Sequence, residues 1–278
     1  MKHIKKILPV LFLLLLLLFL WQGSRAADGV RTGLRLCYGT VLPALFPAMV
    51  LCGILGELAE QLPWSPSRTL WFTSLLCGFP LGIQTVTRAY SRGVLEKSRA
   101  LRLSACCSNA APSFLILYAG KTVLGSARSG LILLASQTAV SFLLALGCGV
   151  LKKTSHPSLP PRPAEKLFAT ALSGAVGSAM MLAGCVVFFS AVAALFPAVP
   201  LLHGVLELTG GLEGELGTVA ALIGFSGCAV ILQNVSSLTE AELSPLPYLM
   251  GRCVYLAGMP LLSLLLQNLT NGEIRGII

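Results

Sequence analysis

Thr69-Leu70-Trp71-Phe72-Thr73-Ser74-Leu75-Leu76-Cys77-Gly78-Phe79-Pro80-Leu81-Gly82-Ile83-Gln84-Thr85-Val86-Thr87, with Arg88 and Arg92 close behind, is the stretch that decides the fold. As one helix it could cross about 30 Å of hydrocarbon. Charge argues against that. With Lys2, Lys5 and Lys6 on the cytoplasmic side, a first helix exits near Arg25 and a second returns near Glu57, so a third crossing would carry Arg88, Arg92, Lys97, Arg99 and Arg102 outside. That is the wrong side for so basic a loop. A hairpin that enters and leaves on one face, turning near Gly78-Phe79-Pro80-Leu81-Gly82, keeps the loop cytoplasmic together with Lys152, Lys153, Arg162 and Lys166.

Composition sets the frame for this reading. The chain is 55% hydrophobic and 11% charged, with a mean hydropathy of +0.82, which is more apolar surface than a water-soluble domain of this length can bury. Lipid is therefore its expected solvent. The formal charge of +9 lies between apolar runs, so it reads as a topology signal and argues against a nucleic-acid partner. The nine cysteines include no C-x-x-C pair and read as small buried hydrophobes, with neither a metal nor a cofactor implied. No hydrolase, zinc-protease or phosphate-loop motif occurs, so an enzyme is not expected.

Further apolar runs cover Ile7 to Trp21, Leu36 to Gly56, Leu103 to Gly120, Ser129 to Leu151, Leu167 to Pro197, Pro200 to Leu212, Gly217 to Val235 and Tyr248 to Gln267. Gly217 to Val235 is expected to form a second hairpin, turning at Gly224-Phe225-Ser226-Gly227 and leaving Glu240 and Glu242 outside. Ala44-Leu45-Phe46-Pro47-Ala48 recurs as Ala194-Leu195-Phe196-Pro197-Ala198, and in the same register Glu57-Leu58 recurs as Glu207-Leu208. The two copies lie in helices of opposite direction, which makes an inverted repeat. The expected fold is an all-α polytopic membrane bundle with two inverted-topology repeats, each containing a re-entrant hairpin. Residues 1–33 would be a retained signal anchor and external loop, 34–151 the first repeat plus a connecting helix, 152–166 a basic Pro-rich cytoplasmic linker and 167–278 the second repeat. This places the chain in a bacterial cell membrane, multi-pass, with its N-terminus cytoplasmic.

The chain resembles the sporulation integral membrane proteins of the YlbJ type, relatives of proteins with a nucleoside-recognition Gate domain. The matching residues are Leu42-Pro43-Ala44-Leu45-Phe46-Pro47, Gly78-Phe79-Pro80-Leu81-Gly82, Ser108-Asn109-Ala110-Ala111-Pro112-Ser113, Leu206-Glu207-Leu208-Thr209-Gly210 and Gly224-Phe225-Ser226-Gly227 with Gln233. The resemblance implies a multi-spanning protein of spore development linked to passage of dipicolinate, a small aromatic dianion. Gln84 stands where the family pattern implies a lysine, a departure that weakens the case for a dianion.

The residues themselves point to a solute site. Gly78, Pro80 and Gly82 on one side, and Gly224 and Gly227 on the other, permit broken backbone whose freed N–H groups attract carboxylates. The polar side chains Gln84, Ser108, Asn109, Ser113, Ser226, Gln233 and Asn234 must find partners in the bundle interior. Glu207 is a carboxylate available for proton or cation coupling. All are expected to surround one midplane cavity. The expected function is transport of a small polar or anionic solute, dipicolinate-like or nucleoside-like. A non-transporting membrane scaffold in spore development is the alternative. The expected partners are the lipid bilayer and the solute, with homo-oligomer formation left open.

Overall fold

The computed structural model describes residues 2–59, 65–152, 164–197 and 199–275, and every regular element among them is helical. The basic linker falls almost wholly outside the described residues. Helix α1 (Lys2–Trp21) meets α2 (Gly23–Leu36) at a bend of 97°. From α2 the chain continues through a π-helical turn, Cys37–Val41, into α3 (Leu42–Ala59) without a loop. Residues 23–33, expected as an external loop, thus form the start of a long rod. The rod packs antiparallel on α8 (Ala164–Ala194): Gly29 lies against Ala191, Gly33 against Val187 and Gly53 against Ala171. A side chain at Gly29 would sit 2.7 Å from the Ala191 Cα, so glycine is what brings the two backbones together.

Helices α4 (Pro66–Cys77) and α5 (Leu81–Ser91) occupy the Thr69 to Thr87 stretch and its flanks. Pro66 starts α4 at a position where its missing N–H costs nothing, and Gly78 ends it at φ 74°. The chain folds back there. A Cβ on Gly82 would lie 3.1 Å from the Ser74 Cβ, so residues on either side of the turn are packed face to face. Arg68, near the start of α4, donates to the Leu151 carbonyl at 2.6 Å, and Arg88, near the end of α5, packs on Gly174 of α8.

Helix α6 (Lys97–Cys106) stops within the apolar run expected to be one helix. The chain resumes after Pro112 as a π-helix, Phe114–Val123, and returns as α7 (Ala127–Gly147), whose Ser126 cap accepts the Ser129 N–H. Helix α9 (Pro200–Leu206) is short and followed by a return in which the Gly211 carbonyl approaches Gly204. Helices α10 (Leu216–Phe225) and α11 (Gly227–Glu240) flank two left-handed residues, Ser226 at φ 79° and Gly227 at φ 75°.

The second Gly-Phe turn differs from the hairpin expected there. Helix α12 (Leu246–Arg275) runs antiparallel alongside both α10 and α11: Leu264 lies against Gly217, Tyr255 against Gly224, and Tyr248 bonds Asn234. Leu216–Glu240 is therefore a broken span of 25 residues, apolar enough to cross a membrane. As a consequence Glu240 shares a polar pocket with Arg88 and Arg92 at one end of the bundle, in place of the opposite side assigned from charge alone. The two Ala-Leu-Phe-Pro copies also sit differently, one inside α3 and the other across the end of α8. The sequence match by itself therefore does not align the halves.

Four described helical stretches, Ala127–Gly147, Leu167–Ala194, Leu216–Glu240 and Leu246–Asn271, have the length and apolarity to cross a bilayer, and α1 with α2 could add a fifth. Large apolar side chains such as Leu143, Met180, Met250 and Leu261 are exposed on their outer faces, where lipid would cover them. The chain is a multi-pass helical membrane protein.

Two outcomes test this arrangement. A Cβ on Gly82 would come within 1.8 Å of the Cys107 carbonyl oxygen, whereas one on Gly177 meets nothing within 4 Å. Gly82→Ala should lower stability in thermal unfolding of the solubilised protein by about 1–3 kcal/mol, an overpacking cost. Gly177→Ala should leave it equal or raise it by up to about 1 kcal/mol. Single cysteines replacing Arg92 and Glu240 should react with an impermeant thiol reagent from the same face of the membrane, and one replacing Lys121 from the other.

Candidate functional site

The break between α6 and the π-helix and the break between α10 and α11 meet inside the bundle, and α12 brings an arginine to them. Arg252 is 4% exposed. Its Nη1 donates to Ser226 Oγ at 2.7 Å and to the Gly224 carbonyl at 3.3 Å, and its Nη2 donates to the Ser108 carbonyl at 2.6 Å. The guanidinium also lies 4.0 Å from the centre of the Tyr255 ring. All of these partners are neutral. The charge is held by carbonyls at the C-terminal ends of two interrupted helices, where the helix dipole is negative, and by an aromatic face.

Around Arg252 several of the freed backbone groups are bonded by side chains. Gln137 clamps the Ala110 peptide, its Oε1 accepting the N–H at 2.8 Å and its Nε2 donating to the carbonyl at 3.0 Å. Asn109 donates to Ser74 Oγ and the Cys106 carbonyl and accepts from the Tyr255 hydroxyl at 2.8 Å. Asn234 donates to Ser108 Oγ at 3.1 Å and to the Tyr248 hydroxyl at 3.2 Å. Ser141 adds a further donor to the Cys106 carbonyl.

A cavity of about 200 Å3 opens beside this network. One part of each interrupted region reaches it: Phe79 from the α4–α5 turn, Ser113 and Tyr118 after the first break, Glu207 and Thr209 after α9, and Ala229 after the second break. Glu207 is 4% exposed, and its carboxylate accepts the N–H of Thr209 at 2.9 Å and that of Gly210. The Tyr118 hydroxyl donates to the Thr209 carbonyl, tying the π-helix to the loop after α9. Among the described residues no lysine, arginine or histidine lines the cavity, and the walls are otherwise mainly aliphatic and aromatic.

The residues singled out from sequence divide into groups. Ser113 and Glu207 line the cavity, and Gly78 and Pro80 flank Phe79, which also lines it. Ser108, Asn109, Gly224, Ser226 and Asn234 belong to the network around Arg252. Gly227 packs against Leu208, and Gly82 against Cys107. Gln84 accepts from the Ser178 hydroxyl of α8, and Gln233 donates to the Met181 carbonyl at 3.5 Å. Neither glutamine lines the cavity, and Asn109 does not either, so the four residues Gln84, Asn109, Glu207 and Gln233 do not converge on it.

Sequence reasoning missed Arg252, Gln137, Tyr118 and Tyr255. A signal for the first was present: an arginine inside the apolar run Tyr248 to Gln267 is costly in hydrocarbon and must have an interior partner. Comparisons with protein-family models, with curated proteins and with solved structures find no match to this chain.

Arg252→Met should remove the donors for two buried carbonyls and a hydroxyl while leaving the helix sequence apolar. At about 1–3 kcal/mol for each stranded group, the expected loss in thermal or denaturant unfolding is on the order of 3 kcal/mol. Gln84→Ala, which removes one acceptor at the α5–α8 contact, should cost about 1 kcal/mol.

Proposed function

We propose that this protein is a membrane transport protein that passes a small solute through the cavity between Phe79, Ser113, Glu207 and Ala229. The observation that carries the reading is the convergence of four interrupted segments on one cavity: the α4–α5 turn, the loop after α9 and the two helix breaks. Irregular backbone at membrane depth is tolerated where it lines a cavity, and interrupted helices from corresponding parts of two halves mark solute sites in transporters. A dry scaffold has no need of such a space.

The order of elements supports a two-fold relation between the halves. The rod from α2 to α3, the α4–α5 hairpin, the broken α6 with its π-helix, and α7 form one set. Helix α8, the α9 hairpin, the broken α10–α11 and α12 form the other. Because the rod and α8 are antiparallel, the two sets run in opposite senses, which is an inverted repeat with a re-entrant hairpin on each face. In this reading the α9 return, and not the Gly224-Phe225 turn, is the partner of the α4–α5 hairpin. Under the positive-inside rule the end carrying Arg88, Arg92, Arg99 and Arg102 is cytoplasmic.

Wall chemistry selects among solutes. A buried carboxylate with no cation among the described residues of the cavity wall disfavours a dianion such as dipicolinate. Aromatic side chains at Phe79, Phe114 and Tyr118, with hydroxyls at Ser113, Tyr118 and Thr209, suit a neutral planar solute with hydrogen-bonding groups, of the nucleoside-like class. A role in spore formation rests on the resemblance to the YlbJ-type proteins.

Purified protein in liposomes, offered radiolabelled uridine and dipicolinate in parallel, tests the assignment. Uridine uptake above protein-free liposomes, with dipicolinate at background, is the expected result. Ala229→Trp, which fills the cavity, should reduce uptake at least tenfold without lowering the amount of folded protein. Uptake unaffected by Ala229→Trp would remove the cavity from the path.

A further inference from the structure

Glu207 has a second neighbour space that the solute reading does not use. An outer cavity, of about 230 Å3, reaches the exposed Asp28 and Thr32 of α2 and is lined also by Ser190 of α8, His203 of α9, and Glu207 with Gly210. Glu207 is thus in the wall of both cavities. The segment Glu207 to Gly210, closed by the carboxylate accepting the Thr209 and Gly210 N–H groups, is the partition between them. Of the titratable groups around Glu207, the rod contributes Asp28 and Cys37, the π-helix Tyr118 and α9 His203. Helices α8 and α11 bring only Ser190 and apolar side chains to the two cavities. Asp28 is occupied by Arg31 at 2.7 Å, whereas His203 Nε2 is buried without a partner among the described residues.

We infer that this second cavity is a proton access route and that Glu207 is the proton-loading carboxylate that couples it to the solute cavity. The inference rests on the solute assignment above for its purpose, though not for its chemistry. A hydronium ion in the outer cavity gives its proton to a Glu207 carboxylate oxygen and leaves as water. The resulting carboxylic acid later releases the same proton to water on the solute side. Charge at Glu207 sets the state of the partition. As a carboxylate it accepts two charge-assisted N–H bonds that hold Glu207 to Gly210 closed. As a neutral acid it accepts them more weakly and has a proton of its own to donate, so the loop loosens as the proton loads. Protonation and opening of the partition are thereby one event.

The test reads protonation and access directly. Dicyclohexylcarbodiimide attacks protonated carboxyl groups in apolar surroundings, and its adduct at Glu207 can be quantified by mass spectrometry on the full-length protein in liposomes. Labelling of Glu207 should rise at least fivefold between pH 8 and pH 5, with Glu207→Gln as the unlabelled control. In a Thr32→Cys, Cys253→Ser variant, attaching a bulky impermeant maleimide in the outer cavity should cut labelling at pH 5 at least fivefold. Labelling of Glu207 that is absent, independent of pH, or unchanged by the plug would overturn the route. Uridine plays no part in this readout, so failure of the solute assignment would leave it standing. Conversely, an unlabelled Glu207 in protein that still takes up uridine would remove only the proton route.

Discussion

A helix interrupted inside an apolar solvent leaves carbonyl and amide groups that lipid cannot satisfy, and most of the interior of this bundle answers that one demand. Two breaks are brought side by side so that a few side chains serve both. Arg252 alone reaches the Gly224 and Ser108 carbonyls, one from each interrupted helix. The arginine is tolerable for the same reason. Among the described residues its charge has no carboxylate partner, but it faces the negative ends of two helix dipoles and an aromatic ring.

This arrangement also sorts charge within the bundle. The buried cation is held inside the network of Asn109, Asn234, Tyr248 and Tyr255, while the buried carboxylate, Glu207, lies on the cavities and is held by backbone N–H groups. Were the two side chains paired, each would lock the other. Kept apart, the arginine is bonded to both breaks and the glutamate lies in the walls of the two cavities.

Much of this was legible in the chain. Gly78, Pro80 and Gly82 identify a break because no ordinary helix carries three such residues at its centre, and α4 ends there. Glu207 stood out because a carboxylate in an apolar segment must find interior partners, and it accepts two backbone N–H groups. The second Gly-Phe turn misled. Gly224 and Gly227 permit a reversal as readily as a kink, and only the continuous packing of α12 along Gly217, Gly224 and Asn234 holds α10 and α11 in line. The short repeat Ala-Leu-Phe-Pro does not by itself align the halves, since one copy lies inside α3 and the other across the end of α8.

The sequence by itself determined the solvent, the helical class and the existence of breaks, because these follow from local composition: apolar run length, glycine and proline, and the placement of lysine and arginine. Tertiary structure decided which break faces which. It moved Gln84, Asn109 and Gln233 away from the cavity, brought Tyr118 and Thr209 to it, and made Arg252 the common partner of two helix ends. Those outcomes depend on contacts such as Tyr255 with Asn109 and Arg252 with Ser108, which join distant parts of the chain. No local pattern encodes such pairings, because the polar side chains have many neutral partners in the bundle, and packing of the helices is what chooses among them.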